Sequence, residues 1–154
     1  MFISMMCPHE DKPSFKYPKD RLLPLSGMVT EELMRAPNML DHKNESCLFV
    51  IKNGGTTGVT IGRATGCESL TNDKDEVIAK EWAIYNYNNK SDVFSDHGDS
   101  GSIIVDGFGR IGGLLTSGTG MTKTSDVTYA TPMWWLWPRI KKHFPNAHLD
   151  PITI

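Results

Sequence analysis

From residue 47 onward, turn residues cut the chain into short apolar runs, and this punctuation constrains the fold more than any other feature. Residues 47–52 are strand-like and end at Asn53-Gly54-Gly55, a hairpin signal. Residues 59–64 form a second run, closed by Thr65-Gly66, and the polar, acidic stretch 68–76 reads as a loop. Residues 78–87, with Trp82, Ile84 and Tyr85, read as a third strand, followed by a long polar loop over 88–99. Residues 102–105 and 110–116 flank the turn Asp106-Gly107-Phe108-Gly109, Ser117-Gly118-Thr119-Gly120 breaks the later run, and 127–131 form a sixth strand. Pro132 suits the first position of a helix, where its missing N–H costs nothing. That helix carries Met133, Trp134, Trp135, Leu136 and Trp137, and Pro138 is expected to kink or restart it. Six short antiparallel strands predict an all-β domain, a closed or sandwiched unit whose closure would remove exposed strand edges.

The part before residue 47 has a different texture. Pro8, Pro13, Pro18 and Pro24 lie among charges in residues 1–27, which read as extended or disordered chain. Thr30 is placed to cap a short helix through Glu31, Glu32, Leu33, Met34 and Arg35, with Pro37 after its end. The expected division is an N-terminal segment and surface linker over 1–46, the β domain with its helix over 47–145, and a tail over 146–154. The formal net charge of -2 argues against a nucleic-acid partner or an acidic membrane. Cys7, Cys47 and Cys67 form neither a disulfide framework nor a zinc spacing. No basic, long apolar leader opens the chain, so no signal peptide is read and an intracellular setting is favoured.

The chemistry concentrates at His97-Gly98-Asp99-Ser100-Gly101-Ser102, just before the apolar run Ile103-Ile104-Val105. The flanking glycines permit backbone angles and close approaches that a side chain would block. The amides of Gly98 and Ser100 can then face one small concavity, where they would hold a developing oxyanion, with the Ser100 hydroxyl beside them. That is the arrangement a serine nucleophile needs for acyl transfer. Asp99 is expected to pair internally and brace the loop.

The order of elements around this loop resembles the C-terminal barrel of a chymotrypsin-fold, trypsin-like serine peptidase, over somewhat more than half of the chain. Gly98-Asp99-Ser100-Gly101 matches the family's motif between the third and fourth strands of its second barrel. Gly113-Leu114-Leu115-Thr116-Ser117-Gly118 is similar to the strand whose edge pairs with substrate, and Tyr129-Ala130-Thr131-Pro132 to the last strand and helix start. Residues 55–62 are similar to the opening of that barrel in bacterial- and fungal-type members. The resemblance implies a six-stranded antiparallel Greek-key barrel with a C-terminal helix. It also implies peptide-bond hydrolysis with Ser100 as nucleophile and the Gly98 and Ser100 amides as oxyanion hole. Thr116 and Gly118 would offer backbone groups to the substrate, with Ser117 between them in place of the aromatic residue common there; Phe94 would sit near the base of the side-chain pocket, and His97 would stand at its rim. A peptide or protein substrate is implied, and neither a metal nor another cofactor.

The departure lies upstream. Family members carry His and Asp on a first barrel, but the 46 residues before Cys47 show no run of strands and no family-like histidine segment. His9 falls in the Pro-rich tail and His42 in the linker. A serine without a positioned base is a poor nucleophile, so this chain reads as an inactive or truncated peptidase half, lacking a first barrel. The alternative reading is a non-catalytic peptide-binding or structural β-barrel. Gly107, Gly109 and Gly112 fit a dinucleotide-binding pattern, but a strand follows where that pattern needs a helix. The Trp-rich helix, with Arg139, Lys141 and Lys142, is read as packed on the barrel, with no stable membrane insertion. The acids at 73, 75, 76, 106 and 126 have no metal-ligand spacing.

Overall fold

The computed structural model describes residues 2–6, 22–72, 78–118 and 127–149. Cys7, His9, the acids at 73, 75, 76 and 126, and residues 119 and 120 of the fourth turn lie outside the described residues. In chain order the elements are α1 (Phe2–Met6), α2 (Glu31–Arg35), β1 (Met39–Leu40), β2 (Ser46–Gly54), β3 (Gly58–Asn72), β4 (Ile78–Asn86), β5 (Ile103–Asp106), β6 (Ile111–Gly118), β7 (Val127–Pro132) and α3 (Met133–His143).

The strands follow the order β1-β2-β3-β4-β7-β6-β5, and β2 also pairs with β5. That last pairing, Val50 with Asp106, Ile51 with Val105 and Lys52 with Ile104, closes β2 through β7 into a six-stranded antiparallel barrel. The chain passes from β4 to β5 without pairing them, because β7 and β6 stand between. The loop carrying Ser100 makes that crossing.

Alternation along β2 explains the two apolar layers. Leu48 and Val50 face the interior, where they meet Trp82, Ile84, Phe94, Ile104, Leu115 and Ala130. Cys47, Phe49 and Ile51 face outward, under Met6, Met133, Leu136 and Trp137. With both faces covered, β2 reads as a continuous apolar run rather than an alternating one. Two of the tryptophans of α3 belong to this packing. Trp134 and Trp137 lie against the two clusters, and Arg139 stacks over Trp135 at 3.5 Å from its ring centroid.

Three sequence expectations change. First, β3 does not end at Thr65-Gly66, and 68–72 is not a loop. The strand shifts register between Ala64 and Glu68 and pairs with β4 out to Asn72. Gly66 is there for space: a Cβ would collide with the main chain of Arg35. Polar side chains hid the hairpin, since its ladder bonds are main-chain ones. Second, β6 runs on through Ser117 and Gly118, which pair with Tyr129 and Thr128. Third, the described residues before 47 are not a surface linker. Val29 and Met34 are fully buried in the interior cluster, and Phe2–Met6 is a short helix that buries Met6. The amide of Ser26 donates to Gly109 and that of Val29 to Ile111, while Ile111 donates back to Gly27. Asp41 is buried as well, accepting from the amides of Lys43 and Glu45 and pairing with Arg63. Burial alone would raise its pKa, but these donors outweigh it and hold the carboxyl below its usual value.

Candidate functional site

A groove of about 230 Å³ opens between the β4–β5 loop and the end of β6, lined by Ser95, Asp96, His97, Ser100, Leu115, Thr116, Ser117 and Gly118. It brings together five of the residues singled out above: His97, Ser100, Thr116, Ser117 and Gly118. Phe94 is elsewhere. It is 1% exposed, in the interior cluster, with its carbonyl held by Thr60 and its amide by Asn86. The inward phase that buries Phe94 turns its neighbour Ser95 to the groove, and the Ser95 hydroxyl is 2.6 Å from the buried hydroxyl of Thr128.

The loop itself is held by main-chain bonds, and their distribution is uneven. Asp96 N–H donates to the Asp99 carboxylate, His97 N–H to the Asp96 carboxylate, Asp99 N–H to Asp96 O, Gly101 N–H to Leu115 O and Ser102 N–H to Asp99 O. The amides of Gly98 and Ser100 have no acceptor among the described residues. Gly98 takes φ +98°, in the region that glycine alone adopts readily. Thr56 Oγ1 donates to the carbonyl of His97, and that hydroxyl fills the place a Gly98 side chain would need. Ser100 is exposed, and its hydroxyl donates to Thr116 O at 3.5 Å. No imidazole is bonded to it among the described residues, and His97 is an exposed groove residue.

Beneath the loop lies an ion pair that sequence reasoning missed. Lys52 Nζ is 3.1 Å from Asp99 Oδ2, and both side chains are fully buried. Lys52 Nζ also donates to Thr57 Oγ1 at 2.5 Å, and that hydroxyl donates on to Asp99 Oδ2 at 2.6 Å. The amides of Thr56 and Thr57 donate to Asp99 Oδ1. Burial by itself would raise the Asp99 pKa, but the Thr57 hydroxyl and the amides of Thr56, Asp96 and Thr57 hold it far below the carboxylate range. Lys52 continues the inward phase of Leu48 and Val50. A lysine at an inward position of an apolar strand was the available signal.

The open edge is the remaining part. β5 stops pairing with β6 where Gly101 bonds to Leu115, so Thr116, Ser117 and Gly118 continue past the loop on that side. Pairing with β7 skips a residue here: Leu115 faces Ala130 and Ser117 faces Tyr129, which leaves Thr116 as a bulge.

Neither a protein-family model nor a curated relative matches this sequence. Solved structures do. A glutamic-acid-specific serine protease, described as using a histidine triad in substrate binding, aligns with TM-score 0.50 and 17% identity over 84% of this chain and 56% of its own. The fold is chymotrypsin-like. A chymotrypsin from Cellulomonas bogoriensis also aligns, with TM-score 0.46 and 20% identity over 71% of this chain and 52% of its own. The chain spans about half the length of these proteases. It forms a single chymotrypsin-like barrel, and similarity at this identity speaks for architecture alone. No described helix is long and apolar enough to cross a membrane. Among the described residues no group of three or more His, Cys, Asp or Glu side chains is placed to hold a metal.

Proposed function

We propose that this barrel is the serine-bearing half of a peptide-hydrolysing site, which binds an extended peptide along the open edge of β6. One observation carries the reading. Of the amides from Asp96 to Ser102, those of Gly98 and Ser100 are the two without an acceptor among the described residues, and they flank the exposed Ser100 hydroxyl. The peptide would add as a strand to the backbone of Thr116, Ser117 and Gly118, the common mode for an exposed sheet edge. Its scissile carbonyl oxygen would then accept from the Gly98 and Ser100 amides as Ser100 Oγ attacks the carbonyl carbon. Ser95, held from behind by the Thr128 hydroxyl, would give the side-chain pocket a small, polar wall.

Attack requires a base to take the Ser100 proton and pass it to the leaving amine. With none on Ser100 among the described residues, the chain alone is expected to bind peptide and to acylate only at a residual rate. A histidine-bearing half from outside the described residues would complete the reaction. The second reading, a peptide-binding barrel without catalysis, draws on the bond from Ser100 to Thr116 O, which points the hydroxyl at the groove wall.

A fluorescent fluorophosphonate and a randomised set of acetyl-tetrapeptide-amides test both. Peptide binding with slow labelling, abolished by Ser100→Ala, is the expected result. Binding with no labelling at any pH would leave the second reading. Absence of both would remove the proposed function.

A further inference from the structure

We propose that Glu81 is a positioning residue for the groove, acting through Thr116. Glu81 lies on β4, two strands away from β6 in the barrel order, and is 9% exposed. Its Oε2 accepts from Thr116 Oγ1 at 2.8 Å and its Oε1 from Thr131 Oγ1 at 3.4 Å. No cation pairs with it among the described residues. A carboxylate buried on two hydroxyls is a costly way to fill space. The hydroxyls it holds explain the cost. Thr116 is the unpaired residue of the β6 bulge, and its own carbonyl accepts from Ser100 Oγ. The ladder does not fix a bulged residue, so its orientation is set by its side chain. Here that side chain is tied to Glu81, the shorter of its two contacts; Tyr129 O lies 3.1 Å from the same hydroxyl, which has one proton to donate. Hydrogen bonds to an ionised carboxylate are about twice as strong as neutral ones, which suits a clamp on an otherwise slack residue.

The assignment rests on the peptide-binding reading for its consequence, but not for its geometry, and the two are tested apart. Three variants are compared with the wild-type chain: Glu81→Ala, Glu81→Gln and, as a control for general destabilisation, Ile84→Val. Amide NMR reads the geometry. Glu81→Ala is expected to move the signals of Ser100, Thr116 and Ser117, and Glu81→Gln to restore them, since its amide oxygen still accepts from Thr116. Binding of the tetrapeptide-amide set reads the consequence. Glu81→Ala is expected to weaken it about tenfold or more, the effect of losing a charge-assisted hydrogen bond, with Glu81→Gln within about threefold of wild type. Ile84→Val should change neither. If the Glu81→Ala signals at Ser100, Thr116 and Ser117 stay in place, or move no more than in Ile84→Val, the positioning role is wrong. If they move but the wild-type chain binds no peptide, the positioning stands and the peptide-binding reading fails.

Discussion

The buried pair under the Ser100 loop should dominate the response of this fold to substitution, and Lys52→Met isolates it. Methionine keeps most of the length and apolar stem of the lysine, so no large cavity opens. What is lost is the ammonium 3.1 Å from Asp99 Oδ2, in a place where neither side chain reaches water. Breaking a buried pair from one side costs about 3–5 kcal/mol, because the remaining charge stays buried. The Thr57 hydroxyl and three amides still donate to Asp99, which places the expected loss near the lower end, about 3 kcal/mol. An exposed pair would give about 1 kcal/mol or less. Urea unfolding followed by tryptophan fluorescence supplies the measurement, since Trp82 is fully buried. The double variant Lys52→Met/Asp99→Asn replaces the pair by neutral groups and should recover about 2 kcal/mol relative to the sum of the single losses. A loss under about 1 kcal/mol for Lys52→Met, or strict additivity in the double variant, would refute the view that this pair is a coupled buried unit.

Gly98→Ala should destabilise by at least about 1 kcal/mol and abolish peptide binding, because φ +98° is strained for alanine and Thr56 Oγ1 occupies the space. Wild-type affinity in that variant would show that the loop geometry is not what the groove depends on. Acid should unfold the protein through Asp99. Its folded-state pKa is depressed, so its contribution is complete above the unfolded value of about 3.9 and is lost as pH falls through and below that value. Denaturation midpoints in a pH series should therefore drop steeply below about pH 5, and Asp99→Asn should flatten that slope. Cys47, whose thiol is pushed up to about 11 chiefly by burial, should resist iodoacetamide at pH 8 in the folded protein and react in urea, as peptide mapping would show.

The strand pattern and the Gly-Asp-Ser-Gly loop were legible because local rules govern both: apolar runs, turn residues and a glycine-flanked bend. The barrel order follows from the resemblance and matches the observed sheet. What stayed hidden depended on contacts distant in sequence. Lys52 meets Asp99 only because closure of the sheet brings β2 against β5. Met34 looks like a residue of a surface helix, and Val29 like one of the chain before it, until an interior exists to receive them. Phe94 turns into the interior and its neighbour Ser95 lines the groove, and the long loop gave no alternation from which to read that phase. Glu81 carried no local signal at all, since its hydroxyl partners come from β6 and β7.

Closure of the barrel has a consequence for the order of events as the chain folds. The seam joins Lys52 to Ile104, and Lys52 is also the cation that Asp99 leans on. The same residue is thus part of the seam that closes the barrel and the keystone of the Ser100 bend. Until β2 reaches β5 the bend has no counter-charge, and its two spare amides have no fixed direction. A chain with the seam open would therefore lack the pair under the Ser100 bend, so the proposed groove takes its shape only when the barrel is closed.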